Sequence, residues 1–198
     1  MNRKRTYAPA SKNRMTMLEY QAAAQRTSPE DGHDKVDNAL LGLLGECGEI
    51  ADLYKKQCYQ SKPDTPMPIE KYKEEIGDVL WYMAELAAGR REMMAGMLKG
   101  DFKDYDESAW KAGFLTDAGD MRKTIVSMCA KASDICQFVS EGDFERAKCH
   151  ARRLVSAAAR LATICRFTLE EAAICNVEKL KKRYPDGFDA GISEARYK

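Results

Sequence analysis

The sequence predicts an all-α fold, and three observations predict it. Apolar residues recur at spacings of three and four through several long stretches. Two such stretches open with a capping box, Thr16-x-x-Glu19 and Thr168-x-x-Glu171. No run alternates in the manner of a strand, and no hairpin dipeptide joins two apolar runs. The 198 residues suit one large domain, or one domain carrying an insertion, with enough chain to bury a proper core.

Taken in order, residues 1–15 read as a flexible basic tail, with Arg3, Lys4, Arg5, Lys12 and Arg14 and no apolar period. The first helix starts at Thr16, and Leu18, Ala22 and Gln25 are expected on one face. Ser28-Pro29-Glu30-Asp31-Gly32 breaks it. The second helix is expected from Asp34 to Tyr59, with Val36, Leu40, Leu43, Leu44, Cys47, Ile50, Ala51 and Tyr54 as its stripe. Gly42, Gly45 and Gly48 interrupt it, each at about 1 kcal/mol relative to alanine. Close helix packing or room for a ligand would offset that. A proline-rich loop over 61–68 follows, then a third helix from Ile69 to Ala88 buried through Ile69, Tyr72, Ile76, Val79, Leu80, Met83 and Leu86. Residues 90–94 can continue it, and Gly100 to Gly119 reads as a polar linker. Two amphipathic segments then form a helical hairpin about Glu141-Gly142-Asp143. The first presents Ile125, Val126, Cys129, Ala132, Ile135, Cys136 and Val139; the second presents Ala147, Leu154, Val155, Ala158, Leu161, Ala162 and Cys165. His150 with Arg152, Arg153 and Arg160 reads as a solvated face. The last helix runs from Thr168 to Tyr184-Pro185-Asp186-Gly187, and 191–198 reads as a tail.

The chemistry lies in two acidic pairs, Glu46/Glu49 and Glu75/Asp78. The i,i+3 spacing puts both members of a pair on one helix face. If the two helices pack side by side, four carboxylates converge and repel one another unless a cation joins them; such hard oxygen ligands suit Mg²⁺ or Mn²⁺. On the last helix Asn176, Lys179 and Arg183 share a face, and two cations with an amide suit a polyphosphate chain.

Composition excludes several alternatives. The 32 basic and 31 acidic residues nearly cancel, so charge gives no argument for nucleic acid or membrane. No apolar run approaches a membrane span, and the first residues lack a secretory core. Seven cysteines without a Cys-x-x-Cys pair suggest a reduced, cytoplasmic protein in which Cys47, Cys129, Cys136, Cys165 and Cys175 act as small hydrophobes. There is no Walker A, Gly-x-Gly-x-x-Gly or Gly-x-Ser-x-Gly motif, and His33 and His150 have no triad company.

The ordered set of acidic pairs, with Gly-Leu-Leu-Gly-Glu-Cys-Gly-Glu-Ile-Ala-Asp-Leu, Glu-Glu-Ile-Gly-Asp-Val-Leu-Trp-Tyr-Met and the segment Asn176 to Phe188, resembles the signature of the MazG-like all-α nucleoside triphosphate pyrophosphohydrolases. The resemblance covers 16–88 and 161–190 and implies a four-helix core, with 89–160 an inserted helical hairpin in a single domain over 16–190. It implies hydrolysis of a (deoxy)nucleoside triphosphate to monophosphate and pyrophosphate with Mg²⁺, or Mn²⁺ in its place, in a homodimer or homotetramer. Glu46, Glu49, Glu75 and Asp78 are then the metal ligands. Glu49 is the candidate base, and Lys179 and Arg183 bind phosphate and stabilise charge in the transition state. Lys71 and Asn176 assist with phosphate or sugar, and Gln21, Gln25, Asn38 and Trp81 are candidate base contacts. A non-catalytic helical nucleotide-binding or scaffold protein with the same fold is the alternative, and a nucleic-acid binder using the basic tail is disfavoured by the near-neutral charge.

Overall fold

The computed structural model describes residues 14–29, 34–62, 64–112 and 118–195. Most of the basic tail, Glu30 to His33 with its histidine, and residues 113–117 of the expected linker lie outside the described residues. All regular structure among the described residues is helical: α1 Met17–Gln25, α2 Lys35–Tyr59, α3 Ile69–Gly89, α4 Met94–Leu98, α5 Phe102–Lys111, α6 Ala118–Ser140, α7 Phe144–Ile164, α8 Leu169–Arg183 and α9 Ala190–Glu194.

Both capping boxes form. The Thr16 hydroxyl accepts the Glu19 N–H while Glu19 reaches back to the Thr16 N–H, and Thr168 and Glu171 do the same at α8. Asp34 caps α2 through the N–H groups of Val36 and Asp37. α3 ends at Gly89, and α6 and α7 turn about Gly142 at φ 78°, a left-handed backbone that glycine adopts freely.

Several expectations need correction. α1 buries Met17, Tyr20, Gln21 and Ala24, and turns Leu18 and Ala22 outward. Gly100 to Gly119 is not a linker throughout, because Asp101 and Asp104 form a capping box that starts α5. Residues 90–94 do not extend α3; Arg91 takes φ 56° and breaks the helix before α4. Val126, Leu44 and Ile69, expected in stripes, are exposed, and the expected C-terminal tail begins within α9.

α2 packs on α3 and on α6, α6 pairs with α7, α3 packs on α8, and α1 lies against α3 and α8. The core is continuous through Tyr20, Leu43, Ile50, Tyr72, Leu80, Phe102, Leu154 and Leu169. Sulfur joins α6 to α2: Cys129 Sγ lies 3.3 Å from the Cys47 carbonyl and Cys136 Sγ 3.4 Å from that of Leu40. All seven cysteines are free thiols.

Two glycines explain how close the site-bearing helices come. A Cβ at Gly42 would overlap the Tyr82 ring, and one at Gly77 would sit 2.8 Å from Asn176 Cβ and 3.0 Å from the Ala172 carbonyl. The first approach joins α2 to α3 and the second joins α3 to α8, so both acidic helices and the cationic helix meet at one place.

Candidate functional site

The meeting place is a cleft of about 350 Å³, lined by Glu46 and Asp78 and by the aromatic side chains of Trp81, Tyr82, Tyr184 and Phe188. Oxygen atoms of Glu46, Glu75 and Asp78 lie within 4.8 Å of one another, so α2 and α3 bring three of the four expected carboxylates together. Glu49 is exposed and stands outside this set, although its charge reaches both Glu46 and Glu75.

Burial, and then the charges of Asp78, Glu75 and Glu49, push the Glu46 carboxyl up to about 8, with Lys179 opposing. Glu75 is also raised, first by burial and then by Asp78 and Glu49. Glu46 therefore holds a proton near neutral pH, and the cluster is short of positive charge.

α8 supplies the local countercharge. Lys179 pairs with Asp78, donating to Oδ1 at 2.6 Å, and Asn176 Nδ2 donates to the same oxygen at 2.7 Å. Asn176 is fully buried, and its own oxygen accepts the Tyr20 hydroxyl at 3.0 Å. Asn176 thus orients Asp78 from behind rather than meeting a ligand. Lys179 keeps one ammonium hydrogen beyond the two carboxylate oxygens it faces. Arg183, one turn further along α8, lines the cleft.

The base-contact candidates separate. Asn38 and Trp81 line the cleft with Thr27, Pro29 and Tyr82. Gln21 and Gln25 do not. Gln21 is buried, donating to the Glu92 carbonyl at 3.0 Å and accepting the Met94 N–H at 2.7 Å. Gln25 donates to Glu85 at 3.0 Å and accepts from Lys35 at 2.9 Å, inside a buried network that Ser28 completes. Lys71 is exposed and does not line the cleft. His150 Nδ1 lies 2.8 Å from Asp134 on the hairpin, and Arg152 donates to the Met97 carbonyl.

Sequence reasoning placed Tyr82 on the helix face of Glu75 and Asp78, and missed Tyr20, Thr27, Tyr184 and Phe188. Tyr20 was signalled by the Met17–Tyr20–Ala24 spacing. Tyr184 and Phe188 flank a Pro185-Asp186-Gly187 turn, which by itself marks only the end of a helix.

No family model matches the chain, and no solved structure matches it. A stretch of 76 residues is 37% identical to the Gene 37 protein of Mycobacterium phage L5, covering 34% of this chain and 66% of that protein. The match spans less than two thirds of that relative, whose name states no activity. Fold and site define an all-α protein with a carboxylate cluster beside a cleft. Among the described residues no helix is long and apolar enough to cross a membrane.

Proposed function

We propose that the chain is a divalent-cation-dependent nucleoside triphosphate pyrophosphohydrolase, splitting a (deoxy)nucleoside triphosphate into monophosphate and pyrophosphate. One observation carries this reading: three carboxylates from two helices converge beside a cleft whose lining also holds Arg183, a phosphate-binding type of cation, and a set of aromatic rings. The resemblance to the MazG-like enzymes noted in the sequence supports it.

The donor set fits Mg²⁺ or Mn²⁺, because all its ligand atoms are hard carboxylate oxygens and Lys179 is a small countercharge for them. Glu46, Glu75 and Asp78 would hold the ion, with Glu49 reachable from the rim. When bound, the ion supplies charge neutralisation at the phosphates and acidifies water. Asn176 and Lys179 fix the Asp78 carboxylate. Lys179 offers its remaining N–H, and Arg183 its guanidinium, to phosphate oxygens, where they stabilise charge that builds in an in-line displacement. Glu49, exposed beside the cluster, accepts the proton of the attacking water.

The test is incubation with each NTP and dNTP in Mg²⁺, with products separated by ion-exchange chromatography. Monophosphate with pyrophosphate is the expected outcome. Diphosphate with orthophosphate, or no turnover in Mg²⁺ and Mn²⁺ of any nucleotide, would overturn the reading. The Asp78–Lys179 pair is the contact that favours the alternative, a nucleotide binder without hydrolysis, since it ties up one carboxylate. Binding of nucleotide without turnover would select it.

A further inference from the structure

The aromatic part of the cleft lining has its own construction. One part of it comes from α3, where Trp81 and Tyr82 pack edge to face with centroids 5.0 Å apart. The other follows α8: Tyr184 closes the helix, the chain turns through Pro185, Asp186 and Gly187, and Phe188 returns to within 5.9 Å of Tyr184. Gly187 takes φ 107°, and a Cβ there would lie 3.4 Å from the Arg26 carbonyl, so the turn demands glycine.

Both parts are fastened by two consecutive residues after α1. Arg26 holds the returning segment twice. Its carbonyl accepts the Phe188 N–H at 3.0 Å, and its guanidinium Nη2 donates to the Pro185 carbonyl at 3.0 Å. Thr27 holds the other part, accepting the Trp81 indole N–H at 3.1 Å while its hydroxyl donates to the Ala24 carbonyl at 2.8 Å. The Thr27 hydroxyl and the indole N–H are thereby spent on each other. Trp81 therefore offers a ligand its ring rather than its N–H, and the same lining includes Asn38 and Ser193.

We infer that Arg26 is a positioning residue of a ring-binding compartment: it latches residues 184–188 so that Tyr184 and Phe188 join Trp81 and Tyr82 in receiving the planar ring of a nucleotide. The inference deepens the proposed function and rests on it for the phosphate end of the ligand alone. Stacking on aromatic side chains tolerates every base, because every base has a π-face. The latch therefore governs discrimination between ring-bearing and ringless polyphosphates.

The chain has two tryptophans, so a Trp110→Phe background leaves Trp81 as the sole reporter of the compartment. This protein is titrated in Ca²⁺ with ATP, GTP, CTP and dUTP, and with inorganic tripolyphosphate. Nucleotides are expected to quench Trp81 fluorescence, and tripolyphosphate to bind without quenching. Adding Arg26→Ala should weaken the bound nucleotides about tenfold, the size of one lost stacking contact. Tripolyphosphate affinity should not change. Arg26→Lys, which retains a donor for the Pro185 carbonyl, should recover most of the loss. In turnover Arg26→Ala raises KM and leaves kcat. If Arg26→Ala fails to fold, Phe188→Ala removes a ring without touching the latch and carries the same expectation.

Equal weakening of nucleotides and tripolyphosphate, or nucleotide binding without quenching, would overturn the inference. Quenching without turnover keeps it and removes the hydrolase reading. Turnover of nucleotides without quenching keeps the hydrolase and removes the compartment.

Discussion

The three glycines of α2 give the sharpest test of the geometry, because the sequence treats them alike and the structure does not. Gly42 faces the Tyr82 ring, whereas Gly45 and Gly48 have nothing within 4 Å of an added Cβ. In a helix interior alanine is favoured over glycine by about 1 kcal/mol. Gly45→Ala and Gly48→Ala should each approach that gain, since no packing opposes it. The pair should reach about 2 kcal/mol, or roughly 4–8 °C in Tm for a chain of this size. Gly42→Ala meets the same gain with a ring in the way. Overpacking of this sort costs about 1–3 kcal/mol, so the net effect should run from neutral to about 2 kcal/mol of destabilisation. Gly77→Ala should fall at the costly end, because one obstructing atom is the Ala172 backbone carbonyl, which no rotamer change can move. Urea denaturation with Tm by circular dichroism measures all four. Destabilisation by Gly45→Ala or Gly48→Ala would refute the reasoning, since it would mean that this part of α2 is covered in solution.

The remaining predictions concern the cluster. Without divalent ion, stability should fall as pH rises from about 4.5 to about 8: Glu46 keeps its proton in the folded protein and loses it in the unfolded chain, so folding takes up a proton across that window. Urea midpoints at pH 5, 6.5 and 8 measure this, and Glu46→Gln should flatten the trend. Mg²⁺ should bind more tightly as pH rises through the same window, because the proton and the ion compete for one carboxylate; calorimetric titration reads this directly. Glu46→Gln and Asp78→Asn should each lower pyrophosphate release by at least about a hundredfold, on the scale of losing one electrostatic contributor to a transition state.

Glu46, Glu75 and Asp78 are legible in the sequence because i,i+3 spacing fixes a shared helix face whatever the helix packs against, although the same spacing does not bring the exposed Glu49 into the cluster. The same holds for Lys179 and Arg183. What was not legible depends on partners far away in the chain. α1 offers two overlapping stripes, Leu18–Ala22–Gln25 and Met17–Tyr20–Ala24, and nine residues are too few for periodicity to choose. The choice is made by the Tyr20 hydroxyl, which bonds the Gly77 carbonyl and Asn176. Gln21 and Gln25 look like ligand readers for a related reason: a polar residue that satisfies buried partners has the same letter as one that meets a ligand. α5 was hidden by its composition, and by a capping box that uses Asp101 and Asp104 in place of the Ser/Thr-x-x-Glu pattern.

The segment between α3 and α7 is tied to the site-bearing helices through their ends. Asp101 Oδ1 accepts the Met17 N–H at 2.9 Å in the first turn of α1. Asp106, buried on α5, accepts the Leu169 N–H at 2.8 Å and reaches that of Glu170. With Thr168 already holding the Glu171 N–H, the first turn of α8 has its donors satisfied, and α8 carries Asn176, Lys179 and Arg183. Asp106→Ala would strand buried N–H groups and should cost about 1–3 kcal/mol. Asp106→Asn keeps an acceptor oxygen and should retain most of the cap, yet it removes a titration. Burial raises the Asp106 carboxyl to about 7 against the pull of the two backbone N–H groups. Between its ordinary 3.8 and about 7 the folded group therefore holds a proton that the unfolded one has lost. The stability of wild type relative to Asp106→Asn should fall as pH rises through that window and level off above it. A difference independent of pH would refute the buried, protonated cap. An Asp106→Ala variant within about 0.5 kcal/mol of wild type would show that α8 is held by its own capping box alone.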